Sequence, residues 1–157
     1  MTPDPTPATG ILFTVFQAEQ PVRVSKAFAL DAEGTLVRKP GGMLVRGTAH
    51  SIQVETLVEF AAILTQLTPG QATSYGITGH DKARVVRKRD LAHTNDDLPV
   101  IARSRDYFRW PEGAGILMLD YDPSPDEAVL SPEEWCERLY AVWPALATAP
   151  HLWRPSA

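Results

Sequence analysis

The chain has 157 residues, 44% of them hydrophobic, and a formal net charge of −4. That composition supports one core-forming domain and excludes an intrinsically disordered chain or a basic DNA-coating protein. No uninterrupted apolar stretch approaches the ~18–20 residues of a membrane span, and the single cysteine, Cys136, excludes an internal disulfide framework and a cysteine-based zinc cluster. A reducing cytoplasm is therefore the expected compartment, with no membrane partner. Proline is in excess, 14 residues or about 9%, against a usual ~5%.

Residues 1–10 are rich in Pro and Thr, lack a basic region of the secretory type, and predict a disordered tail. Residues 11–17, β-branched and aromatic, predict a strand. Residues 22–30 predict a second strand, 31–34 a turn, 36–38 the return of a hairpin, 39–42 a further turn and 43–48 a short strand. Leu57, Phe60, Ala61, Leu64 and Leu67 recur at helical spacing and predict a helix over 51–67, stopped by Pro69 and Gly70. Residues 72–78 predict a strand, 84–88 a short strand or loop, and 98–103 an extended segment.

Residues 115–121 are nearly continuously apolar, which predicts a strand buried on both faces of a central sheet. Ser131, Pro132 and Glu134 form a capping box with proline at the first helical position, so a helix should run to about Val142 with Trp135, Leu139 and Val142 inward. Residues 149–154 predict the start of another strand. The alternation of elements predicts one α/β (α+β) domain over 11–157.

Charge is unevenly placed. Residues 1–110 hold 13 basic and 11 acidic side chains, whereas 111–157 hold 2 and 8. The densest basic run is Lys82, Arg84, Arg87, Lys88 and Arg89, followed by Arg103, Arg105 and Arg109. Such clusters can neutralise nucleic-acid phosphates. A solvated basic loop or edge strand is the other reading of the same run.

Asp120-Tyr121-Asp122 ends the apolar run. On a strand, residues two apart share a face, so the two carboxylates would stand roughly 6–7 Å apart at Cα. They repel unless a cation sits between them. Mg²⁺ is held by one or two carboxylates plus substrate phosphates, an arrangement suited to nucleotidyl transfer. A plain turn cap ahead of Pro123 is the alternative. His50, His80, His93 and His151 show no ligand spacing and suit surface or turn positions. Gly113 and Gly115 precede a strand and are no phosphate loop. Cys136 suits a core or partly exposed thiol. Trp110, Trp135, Trp143 and Trp153 could stack bases, although Trp135 and Trp143 better suit core positions.

The stretch from Ile101 to Pro123, with its apolar strand ending in Asp120 and Asp122, resembles the region around the first motif of archaeo-eukaryotic-type primases. It is similar above all to the primase–polymerases of plasmids, phages and integrated elements. Phe13-Thr-Val-Phe16, Ser25-Lys26, Gln71 to Gly76, Trp143 to Leu146 and Leu152 to Ala157 share the likeness, which covers most of residues 11–157.

The resemblance implies a mixed central sheet flanked by helices, as in the N-terminal part of the primase catalytic core. It implies Mg²⁺ or Mn²⁺ at Asp120 and Asp122, which would be catalytic. Lys82, Arg84, Arg87, Lys88 and Arg89 would contact nucleic acid, and Arg103, Arg105 and Arg109 would approach phosphates. The implied partners are a DNA template, nucleoside triphosphates and a helicase or other replication protein, and exposed apolar strands with Trp153 could drive homo-oligomerisation. A Ser-x-His second motif and a third acidic motif should follow Ala157. The expectation is therefore the N-terminal portion of a nucleotidyltransferase, inactive alone. A non-catalytic module that binds nucleic acid or a replication partner is the first alternative. A sugar-nucleotide-dependent Asp-x-Asp transferase is the second.

Overall fold

The computed structural model describes residues 10–24, 27–39, 41–112, 115–119, 121, 126 and 128–152. The tail expected at 1–10 lies outside them except for Gly10, which is buried. The chain divides into two compact units, one running to Ile116 and the other from Leu117 to Ser156. Among the described residues, no helix is long and apolar enough to cross a membrane.

Among the described residues, the first unit is a mixed α+β structure with a five-stranded sheet and a two-stranded hairpin. β1 (Ile11–Ala18) is an interior strand of the sheet, and β2 (Ala27–Leu30) and β3 (Leu36–Lys39) form a separate hairpin. β4 (Gly47–Val54), helix α1 (Leu57–Gln66), β5 (Gln71–Ser74), β6 (Lys82–Val86) and β7 (Val100–Ala102) follow. The sheet order is β5-β1-β4-β6-β7, antiparallel throughout except for the parallel β6–β7 pair. A 3₁₀ turn (Lys88–His93) lies in the β6–β7 connection.

The pleat of β1 sends apolar side chains to both faces. Phe13 and Val15 join Val54 and Phe60 on the α1 side, where the Phe13 and Phe60 rings meet edge-on at 4.9 Å. Phe16 and Ala18 join Leu44, Ala49, Ala83, Val85 and Ile101 on the other, with Val22, Val24, Tyr107 and Phe108 packed over them. Thr14 is the one buried polar residue among those described, and its hydroxyl donates to the Gly76 carbonyl at 2.8 Å. Gly47 is required where β4 meets β1, because a Cβ there would stand 2.2 Å from the Gln17 carbonyl.

Several expected boundaries shift. Only residues 27–30 of the segment expected at 22–30 form a strand. Val22 and Val24 instead pack on the core, and the Val24 amide donates to the Pro69 carbonyl. The expected turn is present: Asp31 Oδ1 accepts from the Glu33 and Thr35 amides, and Gly34 takes a positive φ of 80°. Residues 43–46 are not a strand, and β4 extends through 51–54, where a helix was expected. Eight consecutive residues of β4 pair with β1, which keeps the chain extended to Val54, ahead of the residues that carry the helical spacing. Helix α1 starts only after Thr56, whose hydroxyl accepts from the Glu59 amide.

In the second unit, α2 (Pro132–Val142) forms with its capping box. Ser131 Oγ accepts from the Glu134 amide at 3.2 Å, and Glu134 Oε2 accepts from the Ser131 amide at 2.8 Å. A 3₁₀ turn (Pro144–Thr148) follows. Trp135 and Leu139 are half-buried, but Val142 is 86% exposed. It ends the helix, and no described residue packs over that last turn to bury it. Residues 149–152 carry no strand, and 153–154 lie outside the described residues.

The buried strand expected at 115–121 is also corrected for residues 115–119, which form no strand and leave Leu117, Met118 and Leu119 exposed. An apolar run creates a demand for burial, whereas a strand also needs a partner for its amides and carbonyls. No described strand pairs with this run.

Candidate functional site

Three groups of candidate residues can be followed. The first is the basic run. Lys82 and Arg84 project from one face of β6, while Ala83 and Val85 fill the core on the other. Arg87 follows the end of β6 and caps the 3₁₀ turn, which Lys88 and Arg89 open.

Most of this run is already matched by carboxylates. Arg84 Nε donates to Asp96 Oδ2 at 2.6 Å, and its Nη1 lies 3.6 Å from Glu19 Oε1. Arg87 Nε donates to Asp90 Oδ2 at 2.6 Å, with Arg89 Nε 3.9 Å from the other oxygen. Lys88 Nζ donates to Asp106 Oδ2 at 3.3 Å. Lys82 alone of the five has no ion pair among the described residues.

The pairing also sets proton affinity. The Leu98 amide, then Arg84, hold the Asp96 carboxyl below the usual carboxylate range. The hydrogen bond from Arg87 does the same for Asp90. These contacts tie the β6–β7 connection to the sheet, a structural role that the density of basic residues did not reveal.

His50 lies opposite Lys82 in the β4–β6 register, with Nε2 3.2 Å from Thr48 Oγ1. Burial, then the Lys82 charge, push its imidazole below the usual range. It is a strand residue, and the predicted helix boundary had hidden that setting. His80 is exposed in a turn, its carbonyl accepting from the Ser51 and Thr78 hydroxyls.

The second group is Arg103, Arg105 and Arg109. All three are exposed, and none has an ion pair among the described residues. Their loop is pinned from within. Tyr107 and Phe108 pack on the core, the Phe108 ring lies 5.6 Å from Phe16, and Arg109 pairs with Ile77 through two backbone hydrogen bonds. Trp110, the next residue, is 69% exposed.

The third group is the carboxylate pair. Asp120 and Asp122 lie outside the described residues. Tyr121, between them, is described. Its ring stacks on Trp135 at 4.8 Å, and its hydroxyl accepts from the Leu130 amide at 3.2 Å. The motif's central residue is thus anchored to the start of α2. Two carboxylates of one short segment are hard oxygen donors, a set that suits Mg²⁺ or Mn²⁺. Among the described residues, no three His, Cys, Asp or Glu side chains stand together as a metal cluster.

Cys136 is half-buried within α2, one turn from Tyr140, whose phenol is pushed up chiefly by their hydrogen bond. Comparison with protein-family models, with curated proteins and with solved structures returns no match.

Proposed function

We propose that this chain contributes to a DNA primase/polymerase-type nucleotidyltransferase, working in the cytoplasm on a DNA template and nucleoside triphosphates. The observation that carries the reading is the Asp120-Tyr121-Asp122 motif, set between an apolar run and a capped helix. Tyr121, between the two carboxylates in sequence, is itself held by the Trp135 ring and the Leu130 amide.

In this reading, Asp120 and Asp122 would hold Mg²⁺ or Mn²⁺ and bring it to the substrate's phosphates. The metal, when bound, neutralises charge on the transferring phosphoryl group. The chain's own residues bind and position. Asp120 and Asp122 supply oxygen ligands, and arginines outside the ion-pair network supply phosphate contacts.

Calorimetric titration with a nucleoside triphosphate, with and without Mn²⁺, tests the reading. Mn²⁺-dependent binding that is lost in Asp120→Asn/Asp122→Asn supports it. Binding of a UDP-sugar in preference to the triphosphate would overturn it in favour of a sugar-nucleotide transferase.

A further inference from the structure

The two basic groups differ in what they already hold, and this separates structure from recognition. Four of the five residues between Lys82 and Arg89 are within ion-pair distance of Glu19, Asp90, Asp96 or Asp106. A phosphate would have to displace those carboxylates, at the cost of contacts that hold the β6–β7 connection. Arg103, Arg105 and Arg109 have no such competitor among the described residues. The loop's own carboxylate, Asp106, is occupied by Lys88 Nζ and by the Ser104 hydroxyl at 3.2 Å. Glu112, exposed two residues beyond Trp110, carries no ion pair among the described residues.

The loop is also preorganised. Tyr107 and Phe108 root it in the core, the Tyr107 amide closes a turn on the Ser104 carbonyl, and the Ile77–Arg109 bridge fixes its far end. What it presents outward is three guanidiniums without an ion pair among the described residues and a large exposed indole. Guanidiniums neutralise a phosphate backbone, and an indole face takes an unpaired base. A duplex keeps its bases stacked inside and offers nothing to that indole.

From this juxtaposition we infer that the 103–110 loop, and not the Lys82–Arg89 run, is where single-stranded nucleic acid docks, with Trp110 stacking a base between arginine-held phosphates. The inference rests on the proposed function for the source of the strand, a template, and on the loop's own geometry for its location.

The test is fluorescence anisotropy of labelled oligo-dT and oligo-rU with the full chain, across a salt series. Trp110→Ala, at an exposed position, should weaken single-strand binding about five-fold or more. Arg103→Gln/Arg105→Gln/Arg109→Gln should lower the slope of log K against log salt by about 2, at ~0.7 per phosphate contact. Lys82→Gln, which breaks no ion pair among the described residues, should leave affinity within about two-fold. Whichever oligomer binds more tightly identifies the strand chemistry, and either result supports the loop. Wild-type binding by Trp110→Ala, or equal affinity for a blunt duplex, would overturn the inference. Loop-dependent binding without any Mn²⁺-dependent triphosphate binding would leave this inference standing while removing the nucleotidyltransferase reading. Triphosphate binding with a silent Trp110→Ala would do the reverse.

Discussion

Arg84 Nε stands 2.6 Å from Asp96 Oδ2, joining β6 to the loop that leads into β7 across a sequence separation of twelve. The same carboxylate accepts from the Leu98 amide, so one side chain fixes both the strand and its return. Asp96→Asn should lower the melting temperature at neutral pH. The folded Asp96 carboxyl lies below its ordinary value of 3.8, so its contribution is complete above that value and is lost as pH falls through the folded value. Melts of wild type and variant at pH 7 and pH 3 should show the gap at the first and its narrowing at the second.

His50 provides a second titration. Its lowered pKa means that the unfolded chain takes up this proton first, so stability falls as pH drops below the ordinary value of 6.5. Lys82→Gln should raise the His50 midpoint followed by NMR. It should still stay under 6.5, because burial is the larger cause.

The fully buried Thr14 hydroxyl donates to the Gly76 carbonyl at 2.8 Å. Thr14→Val keeps the shape and removes the donor, which should cost about 1–3 kcal/mol in urea unfolding.

Phe60 is the residue of α1 that is fully committed to the sheet, 3% exposed and edge-on to Phe13. Phe60→Ala should cost roughly 3–5 kcal/mol. Val142→Lys, at an exposed helix end, should stay within about 0.5 kcal/mol of wild type.

Legibility followed locality. β1 could be read from its own β-branched and aromatic residues, and the start of α2 from Ser131, Pro132 and Glu134, because each signal acts within a few residues. The α1 boundary was misread because Leu57, Phe60 and Leu64 advertise a helix without marking where it starts. The marker was Thr56 with Glu59, a hydroxyl and an amide three residues apart. Long-range facts could not be read at all. Nothing near Arg84 or Lys88 announces Asp96 or Asp106, so a matched network resembled a free basic patch. Residues 115–119 show the opposite limit: apolar character was legible, but strand pairing depends on a partner elsewhere. Of the candidate site, the Asp120/Asp122 pair rests on sequence chemistry, whereas the standing of the arginines came from three-dimensional pairing.

The central claim is a divalent-cation site at Asp120 and Asp122, and paramagnetic line broadening by Mn²⁺ tests it most directly. The account predicts amide broadening centred on residues 119–122 at substoichiometric Mn²⁺, deepened by a nucleoside triphosphate and abolished in Asp120→Asn/Asp122→Asn. Identical broadening in wild type and the double variant, or broadening centred on Asp90, Asp96 or Asp106 instead, would contradict it.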